Sequence, residues 1–293
     1  MSENIVNLRR KIDSARNLQS VVRTMKAMAA SSISQYERSV RALADYYRTV
    51  ELGLSVCLQA TNTAPLFTGD TQRTKAGSIH AVIFGSDQGL VGRFNDVVAD
   101  HAIKNLAPLP AKSEIWAVGE HVHARLAAAG MDTLGLFTVP NSVTAITLLV
   151  GQVLVQSEER RSQGEMAELY LFYNRPTSGA IYMPVSQRLL PLDAQWQQKL
   201  AELPWPTKNL PEVIGSGTET LGALIREYLF VSLFRACAES LASENASRLA
   251  AMQRADENID ELLADLGGAF HRLRQSNIDE ELFDVVSGFE ALS

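Results

Sequence analysis

A glycine-spaced turn is the segment of this chain whose residues could most readily do chemistry. Gly85-Ser86-Asp87-Gln88-Gly89-Leu90-Val91-Gly92-Arg93-Phe94-Asn95 follows an apolar run and precedes a helical pattern. Backbone N–H groups at such a place can cradle a phosphate. The spacing, however, is G-x-x-x-G-x-x-G, which fits neither a dinucleotide-binding turn nor a P-loop, and no Lys-Ser or Lys-Thr pair follows. The reading favoured by these residue types is a tight structural turn in which Asp87 bonds local backbone N–H groups. His121 and His123 stand two apart at a helix start, so they point to different helix faces. No third ligand stands near them at the usual metal spacing. Ser, Cys and His show no nucleophile–base arrangement, and the carboxylates crowded near the C-terminus read as a solvated face. No cofactor, metal site or catalytic residue is expected.

The elements that must position this turn have a distinctive order. An N-terminal apolar series runs Ile5, Leu8, Ile12, Ala15, Leu18, Val22, Met25, Ala29, Ile33, Tyr36, Val40, Leu43, Tyr47, Val50, Leu54. Its steps of three and four keep one seam on one side of a helix, and the second of two successive steps of four, Ala29 to Ile33, locally unwinds a supercoil. At about 1.5 Å per residue such a helix is roughly 75 Å long. Ser2 or Asn4 can cap it. A C-terminal series runs Leu221, Leu224, Tyr228, Val231, Phe234, Ala238, Leu241, then Leu249, Met252, Ala255, Ile259, Leu262, Leu266, Phe270, Leu273. Each seam needs a partner, and the other seam is the only one in the same chain. Charge supports the pairing. Arg9, Arg10, Lys11, Arg16, Arg23 and Lys26 crowd the first series, and Asp256, Glu257, Asp260, Glu261 and Asp265 the second. The alternative is two solvated faces that never meet. Gly267-Gly268 reads as a soft point in the second helix, because each glycine costs about 1 kcal/mol against alanine.

Between the two series the period changes. Ile79–Phe84, Glu114–Val118, Leu134–Val139 and Glu168–Tyr173 read as strands. Helices are expected from about Gly92 to Leu106, from Gly119 with Gly130 as its cap, and from a Ser142 cap to about Glu159. Ile181–Leu190 is extended, and Pro184 marks it as an edge. Strand–helix alternation implies a parallel sheet. Residues 60–78 read as a polar loop, and the prolines at 191, 204, 206 and 211 keep the return segment free of long regular structure. The fold class is thus α/β, with a long antiparallel left-handed coiled coil of the terminal helices and a Rossmann-like α/β domain. The divisions are 1–58 N-terminal helix, 59–190 α/β domain, 191–217 return linker and 218–293 C-terminal helix.

Composition bounds the function. The chain has 293 residues, 46% apolar and 20% charged, with a net charge of −6. That is an ordinary globular composition with no basic excess for nucleic acid. Cys57 and Cys237 lie far apart in apolar sequence and read as buried free thiols of a reducing compartment. No targeting peptide is visible, and Val143–Val155 is too short to span a bilayer. Membrane association would be through other proteins, not by direct insertion.

Three blocks carry a resemblance. The first is KIDSARNLQSVVRTMKAMAA from Lys11, a basic helix with a Met-Lys/Glu-Met-Ala-Ala-like segment. The second is SDQGLVGRFN, Ser86–Asn95, similar to Asp-Arg-Gly-Leu-Cys-Gly-x-x-Asn. The third comprises Ser243-Glu244, Arg248, Ala251-Met252, Arg274-Gln275, Ile278, Glu281 and Gly288-Phe289-Glu290-Ala291-Leu292. In this order and spacing the chain resembles the gamma subunits of F-type ATP synthases over nearly its whole length. Gln88, Val91, His271, Asp279 and Phe289-Glu290 depart from the family's usual residues, as in a divergent or alternative bacterial branch. The resemblance implies a non-catalytic central rotary stalk on the cytoplasmic face of a bacterial membrane. Its implied partners are a ring of three alpha and three beta subunits, an epsilon subunit and the membrane rotor c-ring. Family positions imply that Met25, Lys26, Arg274, Gln275 and Ile278 contact the catalytic ring, and that Leu282, Val285, Val286 and Phe289 turn against its apolar collar. Asp87, Gly89, Leu90, Gly92 and Asn95 form the structural turn. Residue patterns alone leave two alternatives, a Rossmann-like nucleotide-binding enzyme with helical dimerisation arms and a static coiled-coil scaffold.

Overall fold

The computed structural model describes residues 2–61, 78–109, 111–178, 181–192, 194–209 and 211–290. The chain divides into two compact units, residues 31–247 and residues 1–30 with 248–293. Helices α1 (Ser2–Thr61, 60 residues) and α6 (Gly217–Glu290, 74 residues) contribute to both. Helix α1 is already formed at Ser2, so Asn4 lies inside it and does not cap it. Most of the expected polar loop, residues 62–77, lies outside the described residues.

The larger unit is built on a sheet whose order among the described residues is β3-β2-β1-β4-β5. Its strands are β1 (Ser78–Phe84), β2 (Ser113–Val118), β3 (Thr133–Phe137), β4 (Met166–Arg175) and β5 (Met183–Leu190). The first four are parallel, and β5 joins β4 antiparallel as an edge, with Pro184 opposite Asn174. The connecting helices are α2 (Phe94–Leu106), α3 (Glu120–Ala128) and α4 (Val143–Ser162). Ser142 Oγ accepts the Ala145 N–H at 3.2 Å and so caps α4. Gly130, at φ 75°, ends α3 by donating its N–H to the Ala127 carbonyl. The described residues of the return segment include a short helix, α5 (Ala194–Ala201), which its flanking prolines hide in the residue pattern.

Both faces of this sheet are covered, and the strand residues sort by alternation. Ile79, Ala81, Ile83, Ile115, Ala117 and Phe172 pack with Val98, Ala102, Val122 and Leu126 of α2 and α3. Val82, Phe84, Trp116, Val118, Leu169, Leu171 and Tyr173 pack on the other face with α4 and with the parts of α1 and α6 in this unit. Burial on both faces is why β1 reads as an unbroken apolar run. Helices α1 and α6 run antiparallel here. The Tyr47 and Tyr228 rings lie tilted to each other with centroids 5.8 Å apart, and a side chain added at Gly53 would meet Leu224. Cys57 and Cys237 are buried in this core and form no disulfide with each other. Burial raises both thiols above their ordinary value, and Cys237 the more strongly.

The smaller unit pairs the start of α1 with the last part of α6, again antiparallel. Val22, Met252 and Ile259 form its apolar centre, with Met25, Ala251, Ala255 and Leu263 against it. The seam differs from the apolar series at two positions. Leu18 is 55% exposed, and Gln19 is buried in its place. Steps of four then three, Ala15-Gln19-Val22, place Gln19 as well as Leu18 would be placed. Gln19 Nε2 donates to Asp260 Oδ1 at 2.5 Å and to Asp256 Oδ1 at 3.3 Å, bonds that a leucine in its place would not make. On α6, Leu263 packs inward while Leu262 is 48% exposed. Helix α6 passes through Gly267-Gly268 without a break.

Candidate functional site

The turn after β1 is held by side chains reaching across the sheet's C-terminal edge. Asn95 Oδ1 accepts the Ser86 N–H at 2.9 Å, and its Nδ2 donates to Ser86 Oγ at 2.8 Å. Ser86 Oγ in turn donates to the Gln88 carbonyl at 3.1 Å. Asp87 does not bond local backbone N–H groups as its turn context suggested. Its Oδ1 accepts the Glu120 N–H at 2.9 Å, and its Oδ2 accepts the Val139 N–H at 2.7 Å. One carboxylate therefore ties the connection after β1 to those after β2 and β3. This uses up an N-terminal N–H of α3, a group that could otherwise have faced an anion. Such long-range partners are invisible to sequence spacing, because the contact pairs residues 33 and 52 positions apart.

Backbone demands explain the glycines. At Gly85 a Cβ would stand 2.4 Å from Val122 Cβ and 2.7 Å from Asn95 Oδ1. Gly119 has φ 112°, and a Cβ there would strike the Ser86 backbone at 2.7 Å. Gly92 has φ 58° and Leu90 has φ 61°. Leu90 is therefore the turn's strained position, since only glycine adopts that conformation without cost. Gly89, Leu90, Gly92 and Asn95 line a cavity of about 320 Å³ with Asp96, His121 and Arg125. Arg125 is engaged by Asp96 at 3.1 Å and Asp100 at 2.9 Å. His121 faces this cavity, whereas His123 Nε2 pairs with Thr133 Oγ1 at 3.1 Å.

Helix α6 meets the same turn. Ser247 Oγ donates to the Val91 carbonyl at 2.5 Å, and Ser243 Oγ donates to the Asn174 carbonyl at 2.9 Å. Asn174 Nδ2 donates to the Phe94 carbonyl at 3.0 Å. Residue patterns had drawn attention to the turn and to Ser243, but not to Ser247 or Asn174. An isolated serine on a helix and an asparagine in a strand carry no sequence signal until the fold brings them together.

The smaller unit holds the other expected positions. Met25 packs on the Val22–Met252 centre. Lys26 Nζ lies 3.6 Å from Asp256 Oδ2, while Arg23 Nε reaches Asp256 Oδ1 at 3.1 Å and its terminal nitrogen reaches Asp260 at 3.7 Å. The two charged series therefore do meet at this level. Burial alone would raise the Asp256 carboxyl, but the Arg23 hydrogen bond and charge, with Lys26 and Gln19, hold it below the ordinary carboxylate range. Further along α6, Arg274 and Gln275 are exposed. Ile278, Leu282, Val285 and Val286 are exposed as well, with Leu282 at 62% and Val285 at 69%. Phe283, absent from the expected set, is 70% exposed beside them. Phe289 lies in the last turn of α6, and its side chain falls outside the described residues. Ile278, Leu282, Val285 and Val286 recur at steps of four, three and one, which sets them on one side of the helix as an exposed apolar stripe.

Among the described residues no group of His, Cys, Asp or Glu could hold a metal ion, and no helix is long and apolar enough to cross a membrane. A family model described as ATP synthase matches residues 4–292. The ATP synthase gamma chain of Clavibacter michiganensis subsp. michiganensis is 29% identical over 294 residues, covering 97% of this chain and 96% of the relative. That of Clostridium pasteurianum is 26% identical over 295 residues, covering 99% of each. The fold is similar to a chain in the rotor of the Euglena gracilis mitochondrial ATP synthase, with a TM-score of 0.61 and 18% identity. That match covers 95% of this chain and 100% of the other. A chain in the Tetrahymena thermophila mitochondrial central stalk and c-ring structure gives a TM-score of 0.51 at 20% identity, over 80% and 99%.

Proposed function

Because this chain belongs to the ATP synthase family and is a gamma-type member of it, we propose that it is the central stalk of an F-type ATP synthase and carries no catalytic site of its own. The observation that carries this is the family match from residue 4 to residue 292. It covers a chain whose terminal helices run antiparallel and whose α6 ends in an exposed apolar surface. The partners are the alpha and beta subunits of the catalytic ring, an epsilon subunit and the c-ring. The location is peripheral, on the cytoplasmic face of a bacterial membrane.

The mechanism follows from symmetry. A single shaft cannot touch three equivalent catalytic sites alike, so each site is biased toward a different conformation by its own contacts. Turning the shaft moves that bias from site to site, and ATP synthesis or hydrolysis is thereby coupled to ion-driven rotation. In this reading Ile278, Leu282, Val285, Val286 and Phe289 turn in an apolar collar, and Arg274 and Gln275 meet a catalytic-subunit loop. Lys26 and Met25, already engaged by Asp256 and Met252, present their outer atoms to the ring. The turn around Asp87, Gly89, Leu90, Gly92 and Asn95 is structural. What supports this is that its polar side chains are committed to backbone groups of the chain itself.

The test is reconstitution. The isolated chain should hydrolyse no ATP, and rapid hydrolysis should appear on assembly with alpha and beta subunits. Arg274→Glu combined with Gln275→Glu should lower the assembled activity by about tenfold or more, the loss expected of central interface residues. An isolated chain that turns over ATP would overturn the proposal.

A further inference from the structure

In an open α/β sheet, ligands bind beyond the C-terminal ends of the strands, where the strand order reverses. Here the order β3-β2-β1-β4-β5 places that reversal between β1 and β4. The crevice at this point is bounded by the turn after β1, the first residue of α2 and the end of β4. It is filled by the chain's own helix. Successive turns of α6 present Glu239, Ser243 and Ser247 at intervals of four, which is one ridge of a helix. Glu239 Oε2 accepts from Arg175 Nε at 2.7 Å, Ser243 Oγ donates to the Asn174 carbonyl at 2.9 Å, and Ser247 Oγ donates to the Val91 carbonyl at 2.5 Å. Glu239 also accepts from Arg235 at 2.8 Å, so its buried charge is held between two guanidinium groups. Tyr182 closes the side, edge-on to Phe94 at 5.5 Å and bonded to Ser247. Asn174 locks the two walls together through the Phe94 carbonyl. Serine is small enough to let the helix backbone approach, and it still supplies a donor to each carbonyl.

We propose that this ridge is a clutch: Glu239, Ser243 and Ser247 occupy the ligand crevice of the sheet and are the positioning residues that make the α/β domain turn with α6. The inference rests on the stalk reading above. Torque entering at the α/β domain must pass into a helix, and a packed apolar face resists separation better than it resists sliding. Directional hydrogen bonds to main-chain carbonyls at the strand ends resist that sliding. The same occupancy leaves no room for a nucleotide at the switch point.

The measurement is made on the assembled complex with the catalytic ring fixed and paused, and a bead on the α/β domain. Ser243→Ala with Ser247→Ala should raise the bead's angular variance by about twofold, while bead-free hydrolysis by the alpha–beta–gamma assembly stays within the wild-type range. Amide exchange across residues 86–95 of the full chain should quicken by about fivefold. The Thr pair at the same positions, which keeps both hydroxyls, should restore both readouts. Unchanged variance and exchange in the Ala pair would overturn the clutch. Should the pair fail to assemble, Ser247→Ala against Ser247→Thr decides by exchange, and equal exchange in the two overturns it. A wild-type bead that never rotates on ATP would instead count against the stalk reading.

Discussion

Asp87 is the residue on which the α/β domain's connections converge, because one carboxylate satisfies two backbone donors from different crossovers. Hydrogen bonds to a charged acceptor contribute more than neutral ones, so Asp87→Ala should destabilise the domain by about 2–3 kcal/mol, read as a lower urea midpoint at unchanged slope. Two other residues set separate acid limits. His80 is buried on β1, with Nε2 3.2 Å from Glu114. Burial lowers its pKa from 6.5, and the Glu114 charge only partly opposes this. The unfolded chain therefore binds the proton more readily, and stability of the α/β unit is full above pH 6.5 and declines as the pH falls below it. Asp256 has the depressed carboxylate, so its contribution to helix pairing is full above the ordinary value of 3.8 and is lost only as the pH falls through the lower folded value. A pH titration followed by amide exchange should show the sheet loosening first and the pairing at Gln19 and Arg23 later. Simultaneous loss would contradict this assignment.

At the scale of elements, the strands and the seams were legible because burial repeats. The run Ile79–Phe84 is continuous because β1 is covered on both faces, and the period-2 sorting of its neighbours follows from the pleat. What could not be read was any choice between two positions of equal spacing. Leu18 and Gln19 both satisfy the seam, and hydropathy favours the leucine. Gln19 takes the seam position and bonds Asp256 and Asp260, which are more than 230 residues away in sequence. The partners of Asp87 and the role of Ser247 were hidden for the same reason. Helix α6 supplies a direct test of local propensity. A Cβ at Gly267 meets nothing within 4 Å, and one at Gly268 makes an ordinary contact with Arg272 at 3.6 Å. Gly267→Ala and Gly268→Ala should each stabilise the smaller unit by about 1 kcal/mol, seen as a higher melting temperature. A fall in melting temperature would mean that the pair is needed as a bend.

For the whole molecule, the proposal is a shaft that does no chemistry itself and whose rotation moves a conformational bias from one catalytic site to the next. The paired ends of α1 and α6 in the smaller unit and the sheet-backed helices of the larger unit each supply stiffness in their own compact core. We propose the exposed apolar end of α6 as the bearing surface. Truncation before Ile278 should leave the chain folded, since those side chains are exposed, yet it should weaken assembly with the catalytic ring. Analytical ultracentrifugation of the mixed subunits would report that loss. The most direct measurement places a bead on the α/β domain of the reconstituted complex with its catalytic ring fixed to a surface. The account predicts stepwise rotation in one direction while ATP is hydrolysed, and a bead that stays still during sustained hydrolysis would contradict it.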